Sequence, residues 1–322
     1  EQKLQQIGNP PKAKDDIYWA LLITVFTIFL LLNGKFSLIE KFSIMLVASF
    51  TVVTIINLWA LQSYEAWAVK PEELMRGLSF NFPEIKDGNN PLITAISTFG
   101  IIGVGAAELL AYPYWCIEKG YGKYVGPKED GDEWVKRAKG WINVMHWDSW
   151  GAMVVYTFCT IAFYLLGAAI LGRTGLVPEG SEMIQTLSTM YEPVFGSSAR
   201  IIFLAGAIAV LFSTFFIAIA AQCRLCLDFI KVSGLATLCS TQKKWALKIF
   251  GIVLPIICVS CYAFFPKPVI LVLISGTMQA ILLPLIGFAV LYFRYQKSDP
   301  RLRPSKIWDL CLWVSFFGFV VI

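Results

Sequence analysis

Residues 100–115 read GIIGVGAAELLAYPYW, and this is the most informative stretch of the chain. Three Gly, the carboxylate of Glu108 and the ring of Pro113 share one otherwise apolar segment that is long enough to cross a membrane. Pro113 removes a backbone donor and clashes with the preceding turn, and the carbonyl groups that it frees need a protein or ion partner in a bilayer. The pattern predicts a transmembrane helix that Pro113 holds open, interrupted between Gly105 and Tyr112.

Two structures would account for such a segment. Broken helices build midplane substrate sites in transporters with inverted repeats. A kinked packing helix, whose Gly residues allow close helix contacts, would explain the Gly residues but not Glu108. A carboxylate at the centre of a membrane helix costs roughly 2.5–3.5 kcal/mol on insertion scales. Two roles therefore stay open for Glu108, namely ion or proton binding and a structural hydrogen bond.

The composition of the whole chain is that of a membrane protein. Of its 322 residues, 57% are hydrophobic and 15% are charged, whereas soluble domains carry roughly 25% charged residues. The basic residues form no stripe that could follow a phosphate backbone, so nucleic acid is not an expected partner. The sequence shows no nucleophile–base pair and no cluster of metal ligands, so neither an enzyme nor a bound cofactor is expected.

Eight apolar segments come close to the roughly 20 residues that cross a hydrocarbon layer of roughly 30 Å. We expect one transmembrane domain over residues 1–322, with spans at residues 17–32, 42–61, 91–117, 148–171, 201–227, 245–265, 269–292 and 308–322. The last segment is too short to cross comfortably, so the chain is expected to be a fragment of a longer protein. Residues 132–144 and 181–191 are expected to form helices between spans, and Asp148 to cap the helix that it opens.

The distribution of positive charge predicts the orientation. The connections at residues 33–41, 119–139, 231–244 and 294–306 hold 16 of the 27 Lys and Arg residues. Because cytoplasmic loops are enriched in Lys and Arg, these four connections are expected in the cytoplasm. Residue 1 is then outside, which requires an odd number of spans upstream. The expected location is a cell membrane, of the bacterial inner-membrane type, with the lipid bilayer as a partner.

Short motifs in a fixed order resemble the Nramp family of proton-coupled divalent metal transporters, beginning near that family's fourth span. Residues 34–41, GKFSLIEK, resemble the link between the family's fourth and fifth spans. Residues 112–114, Tyr-Pro-Tyr, fall where the family has Met-Pro-His in its unwound sixth span and where related magnesium transporters have Thr-Pro-Tyr. Residues 213–214 (Ser-Thr) and 221–222 (Ala-Gln) are similar to a Ser-Thr and Gly-Gln pattern, and residues 283–284 match the Leu-Pro of the tenth span.

This resemblance implies an all-α integral membrane protein with the LeuT-type inverted-repeat transporter fold, in partial form because the family's first three spans are lacking. It implies secondary active transport of Mn²⁺, Fe²⁺ or Mg²⁺, with coupling to protons left open. The metal ion is then a transported substrate and not a cofactor. The resemblance implies metal contacts from Glu108, Tyr112 and the carbonyl of Leu109, further contacts from Tyr114 and Gln279, and a helix break at Gly105 and Pro113.

The sequence departs from the family pattern at several ligand positions. Tyr112 replaces a Met whose thioether favours softer metals, whereas oxygen ligands suit Mg, Ca and Mn. Tyr114 replaces a His, and a phenol does not titrate near neutral pH. The family's tenth-span Gln is Gly276 here, and Gln279 lies nearly one helical turn away. The family's Asp-Pro-Gly-Asn motif belongs to its first span, which this chain lacks.

Other functions and roles stay open at this stage. A symporter of the same fold for an organic solute such as an amino acid, or a transport-inactive receptor or scaffold, would have the same composition. His146 is either an interfacial hydrogen-bonding residue or a proton relay. Cys223 and Cys226 have a C-x-x-C spacing, but no second Cys pair and no His accompanies them. Packing in the core is therefore favoured over metal or redox chemistry for these two residues.

The orientation gives the first testable prediction. A cysteine introduced at Lys128 should resist a membrane-impermeant thiol reagent in intact cells, since residues 119–139 carry six Lys and Arg and are expected in the cytoplasm. The measurement is labelling before and after permeabilisation, in a background whose native Cys residues do not react. Rapid labelling of intact cells would reverse the orientation.

Overall fold

A computed structural model describes residues 15–33, 36–79, 91–102, 104–178, 183–235 and 239–321. The chain is 86% helical and has no strand in these ranges. The α-helices of four or more residues are α1 Asp16–Asn33, α2 Phe36–Leu61, α3 Pro71–Gly77, α4 Pro91–Ile101, α5 Ala106–Glu118, α6 Tyr121–Val125, α7 Asp132–Leu166, α8 Met183–Ser188, α9 Glu192–Phe195, α10 Ala199–Val232, α11 Ser240–Phe264, α12 Pro268–Tyr292 and α13 Lys306–Val321.

Seven helical stretches within the described ranges are long and apolar enough to cross a membrane. The eighth predicted span corresponds to α13, which has 16 residues up to Val321; residue 322 lies outside the described residues. The predicted helix at 181–191 corresponds to α8 followed by a 3-10 turn over Thr189–Tyr191, and its first two residues are not among those described.

The prediction for residues 132–171 was wrong in one respect. A helix over 132–144 and a separate span from 148 were expected, but α7 runs without a break from Asp132 to Leu166. It continues through a π-helical turn at Gly167–Leu171. No Pro interrupts residues 144–148, so the backbone hydrogen bonds continue through the predicted boundary. Asp148 is therefore inside a helix and caps none.

The described residues form two compact units, one from the ranges 15–79 and 158–269 and the other from the ranges 91–157 and 270–321. Phe50 on α2 occupies the centre of the first unit. Its ring centroid lies 5.9 Å from that of Phe163, 6.1 Å from that of Tyr191 and 6.0 Å from that of Phe203. Aromatic side chains bury large apolar areas, so this cluster stabilises the packing of α2, α7 and α10.

Three polar side chains of the first unit, Thr54, Asn57 and Tyr191, form buried hydrogen bonds next to the same cluster. The hydroxyl of Thr54 donates to the carbonyl of Phe50 at 2.9 Å and lies 2.6 Å from the hydroxyl of Tyr191. Because Thr54 has a single hydroxyl proton, Tyr191 is the donor in the second bond. The Asn57 amide donates to the carbonyl of Met190 at 3.1 Å. These bonds fix the 3-10 turn after α8 against α2.

Arg173, at the end of the α7 stretch, holds the connection between α2 and α3. Its guanidinium donates to the carbonyls of Ala66 and Ala68 at 2.9 and 3.0 Å and to the carboxylate of Glu73 at 2.8 Å. The backbone N–H of Lys70 and the Arg173 guanidinium together lower the pKa of Glu73. Arg173 thus adds polar contacts to a connection whose Trp67 and Val69 pack against the hydrophobic core.

In the second unit, α4 packs against α12 at backbone distance. A Cβ on Gly100 would lie 1.9 Å from the carbonyl oxygen of Gly276, and a Cβ on Gly276 would lie 2.3 Å from that of Ser97. The Ser97 hydroxyl also lies 2.8 Å from the hydroxyl of Thr277. Small residues allow membrane helices to approach this closely. The two glycines therefore fix how α4 meets α12.

Ion pairs join the connections at one end of this unit. Asp299 accepts from Lys128 at 2.9 Å and from Arg301 at 3.0 Å, and the Arg301 guanidinium lies 5.3 Å from the centre of the Trp134 ring. Arg301 and Lys128 hold the pKa of Asp299 well below its usual range. Because this pKa is lowered by folding, the contacts stabilise the fold at neutral pH and weaken as the pH falls below about 4.

The Phe50 cluster gives a stability prediction. Gly206 on α10 faces the Phe50 ring, and a Cβ there would lie 2.0 Å from ring atom Cδ2. Because neighbouring rings hold Phe50, Gly206→Ala should lower the free energy of unfolding by about 1–3 kcal/mol. The matched control is Gly151→Ala on α7, where nothing lies within 4 Å of an added Cβ. Thermal unfolding in detergent should show a loss for the first variant and none for the second; equal effects would contradict this packing.

Candidate ion site

The apolar segment that contains Glu108 forms two helices. The first, α4, ends at Ile101 and the second, α5, begins at Ala106. Ile102, Val104 and Gly105 between them are not helical, and Gly103 lies outside the described residues. Each half therefore leaves backbone groups without partners in their own helix, namely carbonyl groups at the end of α4 and N–H groups at the start of α5.

The interruption differs in position from the prediction. It was expected between Gly105 and Tyr112, with Pro113 holding it open, but it lies before Ala106, and Pro113 is inside α5. Pro113 is about two helical turns from the break. The backbone N–H that Pro113 lacks does not interrupt α5. The break instead coincides with Gly105, which makes a contact that only glycine permits. A Cβ on Gly105 would lie 2.3 Å from the Gln279 side-chain oxygen and 2.5 Å from a carboxylate oxygen of Glu108.

Glu108 is in the first turn of α5. The N–H groups and dipole of a helix N-terminus stabilise a carboxylate there, typically by 0.3–1 kcal/mol at an exposed position. This compensates part of the cost of placing the charge in a membrane segment. The side chain is exposed in the structure, so an ion or another part of the protein can reach it.

The side chains of Gln279 and Glu108 both approach Gly105, since an added Cβ there would meet an oxygen of each. The Gln279 side-chain oxygen accepts from the backbone N–H of Ala107 at 3.2 Å, which caps α5 from another helix. Its amide nitrogen lies 3.5 Å from the Ser275 hydroxyl. The structure also explains Gly276, because any side chain at that position would clash with the Ser97 carbonyl.

Tyr112 is on the same face of α5 as Glu108, four residues further along. Its hydroxyl donates to the carboxylate of Asp148 on α7 at 3.2 Å. Sequence reasoning missed this role of Asp148, since it placed that residue at a helix end. The only signal in the sequence is a second carboxylate close to an apolar segment, and its spacing from Tyr112 carries no information about a contact between two helices.

The other predicted contacts are near the break or on its flank. Leu109 is exposed, and its N–H bonds to the Gly105 carbonyl at 3.1 Å. Its own carbonyl cannot receive the usual helical bond from residue 113, because Pro has no N–H. Tyr114 is half-buried on α5. Elsewhere, the His146 ring stacks on Trp308 at 5.1 Å, and Cys223 and Cys226 are unpaired thiols.

The donors near the break are oxygen atoms. They comprise a carboxylate, an amide oxygen and backbone carbonyls, which are the ligands that Mg²⁺, Ca²⁺ and Mn²⁺ prefer. No three His, Cys, Asp or Glu side chains come together anywhere in the described ranges in a way that could hold a metal ion. A cation at this site would therefore bind through few charged groups and several neutral oxygens.

Comparison with known protein families matches residues 13–322 to the Nramp family, described as natural resistance-associated macrophage protein-like. The match includes both halves of the broken helix and all of α12. No curated protein and no solved structure matches the chain.

The contact between α4 and α12 gives a prediction about this site. Gly276→Ala should lower the free energy of unfolding by about 3 kcal/mol, near the upper end for overpacking, because the added Cβ would meet the Ser97 backbone and not a movable side chain. Gly318→Ala on α13, where an added Cβ meets nothing within 4 Å, is the control. Thermal unfolding measures both. A Gly276→Ala protein as stable as the control would show that the helices are further apart.

Proposed function

Because the chain belongs to the Nramp family, whose members are LeuT-fold membrane transporters of divalent metal ions and not enzymes, we propose that it carries Mn²⁺ or Mg²⁺ across a cell membrane of the bacterial inner-membrane type. One observation supports this choice of ions: the Glu108 carboxylate and the Gln279 amide oxygen converge at the helix break beside Gly105. Both ions favour carboxylate and carbonyl oxygens, and Tyr112 is at the position where the family has the thioether of a Met. Fe²⁺, which the resemblance also allows, is the less favoured substrate.

The ion binds between the two half-helices. The last carbonyls of α4 carry the negative end of that helix dipole and attract a cation. Glu108 supplies the charge, Gln279 supplies a neutral oxygen from α12, and the Leu109 carbonyl is left without a helical partner by Pro113. Tyr112 and Asp148 form a second polar pair further along α5, which the ion meets after leaving Glu108. Tyr114 lies beyond this pair.

Coupling to protons follows from charge repulsion. The resemblance implies an Asp in an upstream span, and two carboxylates facing each other disfavour full ionisation, so the pair retains a proton. A divalent cation stabilises both charges and releases that proton. Binding of the ion and movement of the proton are then coupled without a His at the site.

The same geometry weighs against an organic anion as the substrate. In transporters of amino acids, the N-terminus of a half-helix points at the anionic group of the substrate. Here the start of α5 carries Glu108, and its Ala107 N–H already bonds to Gln279. A carboxylate substrate would meet negative charge at that place. A receptor or scaffold without transport would give no ion uptake at all.

Replacement of Glu108 tests the proposal. In proteoliposomes of the full-length protein, Glu108→Gln should reduce Mn²⁺ uptake about tenfold, which corresponds to ~1.4 kcal/mol of lost ion binding. It should also flatten the pH dependence of uptake, because one group that exchanges a proton is gone. Uptake is measured with radioactive Mn²⁺ between pH 5.5 and 8.

Glu118→Gln is the matched control, since Glu118 is the last residue of the same helix and its replacement removes the same charge outside the site. This variant should keep the uptake and the pH profile of the wild type. A well-expressed Glu108→Gln protein with unchanged uptake and pH profile would rule out the mechanism. Low expression, with normal transport by the protein that survives, would assign Glu108 a structural role.

A further inference from the structure

The first unit contains a second candidate site, which shares no residue with the helix break. A cavity of about 240 Å³ opens between α1, α10 and α11. Apolar side chains form most of its wall, and Arg224 and Lys248 are the two charged residues among those that line it, namely Leu30, Leu31, Leu32, Phe216, Ala220, Cys223, Arg224, Leu247, Lys248 and Gly251. A site with two cations against an apolar wall has the character of a site for an amphipathic anion.

The two cations differ in how they are held. Arg224 is half-buried and donates to the Ala220 carbonyl one turn earlier in α10. An arginine has five N–H donors, so it can bind phosphate oxygens while it keeps this bond. Lys248 is exposed, with its ammonium group 5.7 Å from the centre of the Trp245 ring.

The position of the cavity along the helices fits a membrane surface. It is formed by Leu30 to Leu32 at the end of α1, by residues of α10 between Phe216 and Arg224, and by Leu247 to Gly251 of α11. The residues from α10 and α11 lie about two helical turns or more inside the nearest ends of those helices. These three helix ends lead to the connections at 33–41 and 231–244, which the charge distribution assigns to the cytoplasm. Trp245 is at the start of α11, and Trp residues favour the boundary between hydrocarbon and water. Arg224 and Lys248 are each about two turns from the nearest end of their helix, so their long side chains can extend toward the headgroup region.

We propose that this cavity binds the phosphate headgroup of an anionic phospholipid of the cytoplasmic leaflet, with Arg224 and Lys248 contacting the phosphate and Leu30 to Leu32 contacting the first part of an acyl chain. Basic pockets between transmembrane helices on this side of a membrane bind such headgroups. The volume is below the roughly 300–1,000 Å³ of sites that enclose a whole organic ligand, so it suits a headgroup whose chains stay in the bilayer. The inference does not depend on the transported ion.

Titration with short-chain phosphatidylglycerol tests the site in the full-length protein. Binding is measured by native mass spectrometry and by the shift in the thermal unfolding midpoint, with phosphatidylcholine of the same chain length as the comparison. Phosphatidylglycerol should bind and stabilise more strongly. The double variant Arg224→Gln and Lys248→Gln should weaken its binding roughly tenfold to thirtyfold, the factor expected for two cations near a membrane surface.

The matched control removes two charges from the same helices outside the cavity. Lys231 on α10 and Lys244 on α11 are exposed and do not line it, so Lys231→Gln with Lys244→Gln should bind phosphatidylglycerol like the wild type. An equal loss in both double variants would mean general surface attraction and would overturn the proposal. So would equal binding of phosphatidylcholine. If glycerol phosphate alone gave the full stabilisation, the site would belong to a soluble phosphate and not to a lipid.

A second variant keeps the proposal testable if the charge changes disturb folding. An added Cβ on Gly251 would lie 3.8 Å from Leu31, which is ordinary contact, so Gly251→Ala should fold and still bind lipid. Gly251→Leu would place a larger apolar side chain in the cavity while both cations remain. It should lose phosphatidylglycerol binding and keep its stability in phosphatidylcholine. Retained phosphatidylglycerol binding by Gly251→Leu would overturn the proposal.

Discussion

The backbone contact between α4 and α12 is the constraint on which the candidate ion site depends. Gly100 and Gly276 bring the two helices so close that neither position has room for a Cβ. This approach places Gln279, almost one turn after Gly276, at the start of α5, where it accepts from the Ala107 N–H. The interruption of the span is therefore held by a side chain from another helix, and the position of Glu108 follows from that bond.

A divided helix presents two opposite potentials at one point. The carbonyl end of α4 attracts cations, and the N–H end of α5 attracts anions. Glu108 and the Gln279 oxygen neutralise the second potential and leave the first available to an ion. A site of this kind needs fewer formal charges than a cluster of carboxylates, which is consistent with the small number of acidic groups near the break. Weak charge compensation also suits a transported substrate, because the ion must leave again.

The sequence was sufficient for some of these features and not for others. Long apolar segments located the helices, because roughly 20 apolar residues are hard to place anywhere but in a bilayer. The position of the break was predicted too late in the chain, since Pro113 was given more weight than a glycine contact that no single helix reveals. Asp148 was assigned to a helix end because Asp favours N-cap positions, and that preference reveals nothing about a contact with Tyr112. The pairs Tyr112–Asp148 and Ala107–Gln279 depend on contacts between helices, and periodicity within one helix does not encode them.

The length of α10 has a consequence for the surrounding lipid. Its 34 residues extend about 51 Å at 1.5 Å per residue, whereas the hydrocarbon layer measures about 30 Å. A helix of this length tilts, extends into water at one end, or thickens the bilayer around it. The end of α10 that contains Lys231 and the turns before it extends into water. The tilt of α10 thus responds to bilayer thickness, which makes the host membrane itself a variable in how this protein works.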